Sequence, residues 1–155
     1  MRFNTNVFLW LLCITMSSAS VSSAEREYLK PNGLWNVPSF SQVTTARAGK
    51  LVFISGQVSW DENGKVVHAG DLRKQTEQTF ENLKRALEAA GAGFDNLVKL
   101  TIFVKDIDQT KWRTISDVRK GYLSKERPPA STMIGVPGLV LEDLLIEIEG
   151  IAVVD

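Results

Sequence analysis

The stretch Asp71–Val104, DLRKQTEQTFENLKRALEAAGAGFDNLVKLTIFV, contains a helix pattern followed directly by a strand pattern. Six residues suited to a buried face recur three or four positions apart: Leu72, Thr76, Phe80, Leu83, Leu87 and Ala90. This spacing predicts an amphipathic helix over residues 71–90. Asp71 fits its N-cap and Gly91 its C-terminal stop. The segment Leu97–Val104 alternates, which predicts a half-buried strand with Val98, Leu100, Ile102 and Val104 on one face.

The residues on either side extend this pattern into a chain of alternating strands and helices. Apolar residues at helical spacing predict a second helix that begins near Asp108 and ends before Pro128. Runs rich in β-branched and aromatic residues, bounded by turn residues, predict the strands. They are residues 40–46 and 51–55, expected to form a hairpin, then 65–67, 131–136 and 144–154.

This order of elements predicts the α+β class, with one mixed sheet backed by two helices on a single face. In the last strand, alternate residues can face the helices: Leu144, Ile146, Ile148, Ala152 and Val154. The opposite side carries Leu145, Glu147, Glu149, Ile151 and Val153 and is still too apolar for water, so we expect another copy of the chain to cover it. Glu147 and Glu149 then lie either at a subunit seam or in a partly desolvated position suited to proton transfer.

Composition narrows the possible chemistry. The chain has 155 residues with 18 basic and 18 acidic side chains, so it forms one domain without the basic field that would attract nucleic acid. The single cysteine, Cys13, excludes an intrachain disulfide framework, and the single histidine, His68, excludes paired-histidine metal motifs. We therefore expect no metal and no cofactor, and chemistry based on carboxylates, hydroxyls, backbone groups, arginine or lysine.

Residues 1–24 have the order of a secretory signal peptide, with a polar start, an apolar run and a small-residue end. The apolar run Val7–Met16 is well short of the ~20 residues that span a bilayer, so a permanent membrane anchor is the weaker interpretation. The prediction is therefore an exported protein, periplasmic or secreted, without stable membrane insertion after cleavage. An irregular lead-in is expected over residues 25–39 and the folded domain over residues 40–155.

Three short segments could carry chemistry, and each also has an ordinary structural explanation. Ser55 and Gly56 end an apolar strand, where backbone amides could bind an anion or simply leave the sheet. Ser131 and Thr132 follow two prolines and could present hydroxyls to a ligand or simply begin a strand. His68 has no second histidine or cysteine nearby, so a solvated or capping role is favoured over metal binding.

Four strings together resemble the YjgF/RidA family of reactive enamine/imine deaminases, in the family's order and spacing. They are FISGQVS, QTFENLKRALEAAGAGFDNLVKLTIFVKDI, RPPASTMIGV and LLIEIEGIAVV. The resemblance extends over residues 40–154. It implies a fold similar to chorismate mutase and a homotrimer whose three sheets form a closed barrel, with small-molecule sites in clefts between subunits.

The resemblance also implies roles for individual residues. Family deaminases hydrolyse enamines and imines to 2-keto acids and ammonia. In them an arginine after a Pro-Ala pair binds the substrate carboxylate. A glutamate of the last strand positions the attacking water. Carried over, Glu147 is the catalytic carboxylate, Ser55 and Gly56 bind substrate, and Phe40 stands where a pocket tyrosine is common.

The arginine itself does not match, because Ala130 is followed by Ser131 and Thr132. Ser116 stands where the deaminases often have asparagine, and Met133 where they can have cysteine. A compensating cation would have to come from elsewhere, and Arg127 and Arg119 are the candidates. The sequence therefore favours a RidA-like protein with weak or altered enamine/imine hydrolysis. The alternatives are a non-catalytic trimer that binds a small molecule and, third, a ribonuclease or translation inhibitor.

Overall fold

The computed structural model describes residues 25–32 and 39–155. The predicted signal peptide lies outside these ranges. In chain order the elements are β1 (Glu25–Leu29), β2 (Val43–Arg47), β3 (Lys50–Val58), α1 (Leu72–Ala89), β4 (Leu97–Lys105), α2 (Gln109–Arg119), β5 (Ala130–Val136) and β6 (Ile146–Val154). A short 3-10 helix, Phe94–Asn96, precedes β4.

A four-stranded mixed sheet forms the centre of the fold, with the strand order β3-β6-β4-β5. The pairing of β4 with β5 is parallel, and β6 pairs antiparallel with both β3 and β4. Helix α1 packs on β3, β6 and α2. The predicted α+β class, a mixed sheet with two helices, is therefore confirmed.

Both helices begin at the aspartates that the sequence indicates. The Asp71 carboxylate accepts a hydrogen bond from the Lys74 backbone N–H at 3.1 Å, and the Asp108 carboxylate accepts one from the Lys111 backbone N–H at 2.7 Å. Each bond satisfies a donor that the first helical turn leaves free. Gly91, just after α1, has a φ of +74°, a conformation that glycine adopts without steric cost.

The core lies between the helices and one face of the sheet. Its largest fully buried apolar residues are Phe80, Leu83, Leu87, Leu97, Leu100, Ile102, Ile115, Leu144, Ile146 and Ile148. At its edge the rings of Phe80 and Tyr122 stack with centroids 4.7 Å apart. In β6 Ile146, Ile148 and Ala152 are fully buried and Glu149 is exposed, as predicted. Val153, expected on the opposite face, is also buried, and its carbonyl accepts a hydrogen bond from Arg26 of β1.

The predicted amino-terminal hairpin is wrong. A turn forms at Ala48 and Gly49, with φ angles of +60° and +88°, but β2 pairs with β1 and β3 pairs with β6. The segment VTTAR of β2 has little apolar surface to bury, whereas Val52 and Ile54 of β3 pack in the core. Residues 25–29, expected to be irregular, form β1, and the short strand predicted at 65–67 is reduced to a bridge between Trp60 and Val66.

A bulge at the start of β4 corrects a second expectation. The register with β6 shifts between Leu97 and Lys99, so Leu97 rather than Val98 enters the core. The Val98 carbonyl instead accepts a hydrogen bond from Thr44 Oγ1 at 2.7 Å, which holds β2 against the sheet. On the sheet face away from the helices, Phe53 is 73% exposed and Leu51 is 57% exposed. This face therefore presents apolar side chains to solvent in the isolated chain.

Candidate functional site

A bulge in β3 forms the centre of the first group of predicted site residues. Ile54 pairs with Gly150 and Gln57 with Ile148, so Ser55 and Gly56 together lie opposite Glu149. A bulge of this kind bends the strand and leaves part of its backbone outside the ladder. The bulge thus interrupts the regular pairing at the two residues that the sequence singles out.

The Glu147 side chain lies directly against the backbone of Gly56. A Cβ atom built at residue 56 would be 2.7 Å from Glu147 Cδ and 2.9 Å from its Cγ, so any larger residue there would displace the Glu147 carboxylate. Glu147 is half-buried. Because β6 on one side and the bulge on the other limit its movement, this carboxylate is suited to orient a water molecule and to accept a proton from it.

A groove of about 490 Å³ opens beside the bulge, on the face away from the helices. Its polar lining includes Ser55, Lys99, Thr101 and Glu149. The Lys99 ammonium donates a hydrogen bond to Thr132 Oγ1 at 2.6 Å, so the predicted site residue Thr132 faces this side of the sheet. Lys99 and Thr101 are not found by sequence reasoning, because their alternation with apolar residues is that of any half-buried strand.

Ser131 and Met133 lie on the opposite face of β5. Ser131 pairs with Leu100, whose side chain is fully buried beneath the helices, and Met133 packs against the core. The Ser131 hydroxyl is buried and has no hydrogen-bond partner among the described residues. Buried hydroxyls are rarely left in this condition, so this hydroxyl is free to form a hydrogen bond with a polar group of a ligand.

Phe40 and Ser116 belong to the same edge of the molecule as Ser131. Next to Phe40, Ser41 bridges Ala130, and its hydroxyl donates to the Pro128 carbonyl at 2.6 Å. Ser116, on α2, lines an open groove of about 510 Å³ together with Ser39. The segment before β2 and helix α2 therefore meet at the beginning of β5.

The predicted site residues thus fall into two groups that one chain does not bring together. Ser55, Gly56 and Glu147 lie at β3 and β6, while Phe40, Ser116, Ser131 and Met133 lie at the other edge. Thr132 is also on β5, but it faces the groove side through its hydrogen bond with Lys99. In the order β3-β6-β4-β5, the outer strands are three spacings apart, roughly 14 Å. Ser131 and Glu147 also face opposite sides of the sheet.

The two candidate compensating arginines have different surroundings. Arg127 is exposed, and its guanidinium lies 4.0 Å from the Asp95 carboxylate. Arg119 is only 6% exposed and donates a hydrogen bond to the Ser39 carbonyl. Burial lowers the pKa of Arg119 from its usual value, although an arginine keeps its charge at neutral pH.

Across residues 25–32 and 39–155, no three histidine, cysteine or acidic side chains cluster closely enough to hold a metal ion. Within the same ranges no helix combines the length and apolar character needed to cross a bilayer.

Comparison with known proteins identifies clear relatives. The family described as Endoribonuclease L-PSP matches residues 34–154. The 3-aminoacrylate deaminase RutC of Acinetobacter baylyi is 35% identical over 127 residues, which are 82% of this chain and 97% of that protein. A 2-iminobutanoate/2-iminopropanoate deaminase of Salmonella typhimurium is 36% identical over 107 residues, 68% of this chain and 80% of that protein.

A solved structure supports the same relationship. The crystal structure of a protein of the conserved Rid family from Yersinia pestis superposes with a TM-score of 0.75 and 34% identity, covering 83% of this chain and 98% of that one. The likeness confirms the chorismate mutase-like fold. The matched residues 34–154 include both groups of predicted site residues.

Proposed function

Since this chain belongs to the family described as Endoribonuclease L-PSP, which includes the YjgF, RidA and RutC proteins, we propose that it hydrolyses a small enamine or imine to a carbonyl compound and ammonia. Two relatives that it matches at 35% and 36% identity are named deaminases of 3-aminoacrylate and of 2-iminobutanoate or 2-iminopropanoate. The proposal assigns to this chain the same class of C–N bond hydrolysis.

The placement of Glu147 against Gly56 is the observation that carries this proposal. Glu147 orients a water molecule and takes its proton as the water oxygen adds to the C=N carbon. The proton then passes to nitrogen, which gives a carbinolamine. The hydroxyl proton of the carbinolamine moves through Glu147 to nitrogen as the C–N bond breaks, so ammonia leaves and a C=O group remains. An enamine substrate first gains a proton on carbon and loses one from nitrogen to become the imine. Ser55 and the backbone of the β3 bulge bind the substrate beside the water.

The complete pocket is proposed to form between copies of the chain. The two groups of site residues are about three strand spacings apart within one chain, roughly 14 Å, so a small substrate cannot touch both. A homotrimer would bring the β5 edge of one copy to the β3 bulge of the next. The exposed apolar side chains of Leu51 and Phe53 support this arrangement, because such surface is normally covered.

The substrate carboxylate is bound differently here than in arginine-bearing relatives. Ser131 offers a neutral hydroxyl where a guanidinium would form a charge-assisted, bidentate contact. The hydrolysis is therefore altered in substrate preference, and slower on 2-imino acids than in relatives that have the arginine.

The test is the rate of imine hydrolysis by the mature chain and by Glu147→Gln. Short-chain 2-imino acids are generated in situ by an amino-acid oxidase, and semicarbazide traps the imine that escapes hydrolysis. The wild type should reduce the trapped product, and Glu147→Gln should lower kcat/KM by about 10²–10⁴-fold, the usual contribution of a general base. A wild type with no effect on any imine or enamine, or a fully active Glu147→Gln, would overturn the proposal.

One observation favours the non-catalytic alternative. The buried, unpartnered Ser131 hydroxyl offers a contact to a neutral or polar ligand that need not react. In this alternative the trimer binds 2-keto acids but does not hydrolyse imines. Neither the wild type nor Glu147→Gln would then reduce the amount of imine that semicarbazide traps. The family description names an endoribonuclease, but the balanced charge of this chain disfavours RNA binding.

A further inference from the structure

A small cavity at the end of α2 is lined by basic side chains. Its volume is about 280 Å³, and its described lining consists of Ser39, Arg119, Lys120, Leu123, Ser124 and Lys125. Three of these residues are cationic, and no acidic residue is among the described lining. The Lys120 ammonium is paired with the Asp117 carboxylate at 3.2 Å, so Arg119 and Lys125 supply the uncompensated charge. The cavity therefore has a positive potential that favours an anion.

Arg119 is the buried cation of this cavity. Its guanidinium has five N–H donors, and the acceptor found among the described residues is the Ser39 carbonyl. No carboxylate of residues 25–32 or 39–155 forms an ion pair with it. A charge that is more than nine-tenths buried is costly unless an opposite charge accompanies it. The structure thus contains a preformed cation whose anionic partner is not supplied by the described chain.

This cation lies at the edge where the family arginine is missing. Ser39, which accepts the Arg119 hydrogen bond, is two residues from Ser41, which bridges Ala130. Two residues span at most about 7 Å, so the carbonyl that accepts this hydrogen bond lies within about 7 Å of the residue that bridges the beginning of β5. Ser116 precedes Arg119 by three positions on α2 and therefore lies on the same side of the helix.

We propose that Arg119 binds the carboxylate of a small 2-keto or 2-imino acid in this cavity, with Lys125 adding positive charge at its mouth. Leu123 provides an apolar wall for a short alkyl chain. The volume equals that of several water molecules at about 30 Å³ each, which is enough for a three- or four-carbon acid. The inference rests on the proposed function, since it names the group that binds the substrate's charge.

The test is ligand-observed NMR titration of the mature protein with pyruvate and with its neutral isostere pyruvamide. Pyruvate should bind at least about tenfold more tightly than pyruvamide, because the charge-assisted bonds need a carboxylate. Arg119→Lys should weaken pyruvate binding by about tenfold, since a lysine cannot form the bidentate contact. Lys125→Gln should weaken it by about threefold at low salt and less at high salt. The matched control Arg127→Gln should have no effect, because Arg127 is exposed beside Asp95.

Equal binding of pyruvate and pyruvamide, or unchanged binding by Arg119→Lys, would overturn the inference. If Arg119→Lys does not fold, two other measurements test the inference. It is wrong if the wild type binds pyruvate and pyruvamide equally and Lys125→Gln binds pyruvate as tightly as the wild type. Competition with inorganic phosphate distinguishes a carboxylate site from a site that binds any small anion. If phosphate displaces pyruvate at equal concentration, the cavity is a general anion site and the carboxylate assignment is wrong. A wild-type chain that hydrolyses imines without binding pyruvate disproves this inference alone. A wild-type chain that binds pyruvate through Arg119 without hydrolysing any imine disproves the proposed function alone.

Discussion

Replacing Gly56 by alanine should separate catalysis from stability. The new Cβ would lie 2.7 Å from Glu147 Cδ and 2.9 Å from Glu147 Cγ. Carbon atoms that are not bonded to each other approach to about 3.5–4.0 Å, and Glu147 Oε1 would lie closer still to the new Cβ, so the carboxylate must move by at least about 1 Å. A displacement of about 1 Å at a reacting group can lower the rate by about 10²-fold, equivalent to ~2.7 kcal/mol in the activation free energy.

The fold should tolerate this substitution. The atoms that must move belong to the end of a half-buried side chain, and the φ of Gly56 is not in the left-handed region. Alanine also restricts the unfolded chain, which stabilises the folded state by about 0.4–1 kcal/mol. We therefore expect the free energy of unfolding of Gly56→Ala to differ from that of the wild type by less than about 1 kcal/mol.

The assay is kcat/KM for imine hydrolysis, measured beside urea unfolding of the same preparation. Gly138→Ala is the matched control, because its new Cβ meets no atom within 4 Å and its φ also lies outside the left-handed region. This control should leave kcat/KM unchanged, and its free energy of unfolding should rise by no more than about 1 kcal/mol. A folded Gly56→Ala with the wild-type kcat/KM would refute the reasoning that the position of Glu147 determines the rate.

Three further predictions concern export, assembly and pH. Amino-terminal sequencing of exported protein should find Glu25 as the first residue, whereas a cytoplasmic protein that still begins at Met1 would contradict the signal peptide. Light scattering should find about three chains per particle, and a wild-type monomer would contradict the proposed pocket. Phe53 is 73% exposed in the isolated chain. Phe53→Glu places a charge in the surface that the trimer would cover, so it should shift the particles toward monomers. Burial and the neighbouring Glu81 raise the pKa of Tyr122 to about 12. Because the unfolded chain loses the phenolic proton near pH 10, the free energy of unfolding should fall between about pH 10 and pH 12, and urea titrations of Tyr122→Phe should show a smaller decrease.

Sequence patterns predict the helices well, because a helix is determined by the spacing and the caps of its own residues. Helix α1 follows from its apolar spacing and from Asp71 and Gly91, and both its existence and its ends are as expected. Pairing across the chain is not visible in this way. Nothing within residues 40–58 indicates that β3 pairs with β6, almost a hundred positions away, or that β2 pairs with β1.

The same limit applies to the site. The positions Ser55, Gly56 and Glu147 can be named from motifs, and the structure brings these three together at the β3 bulge. The close approach of the Glu147 carboxylate to Gly56 depends on the register of β3 with β6, and local sequence patterns do not predict the register of two strands that lie far apart in the chain. The cavity at Arg119 is likewise formed by α2, the residues that follow it and Ser39, and in the sequence Arg119 is one of several charged residues on a short helix.

The β3 bulge also restricts how this protein could change by insertion or deletion. Ser55 and Gly56 together lie opposite the single residue Glu149, so removing either one would restore an unbroken ladder without changing the register on either side of it. The extra residue bends the strand and increases its local twist. Its deletion would therefore straighten β3 and displace the backbone against which Glu147 rests, while Phe53 and Ile54 would keep their present faces. Length variation among functional relatives should therefore be found in the loops around this strand rather than within it.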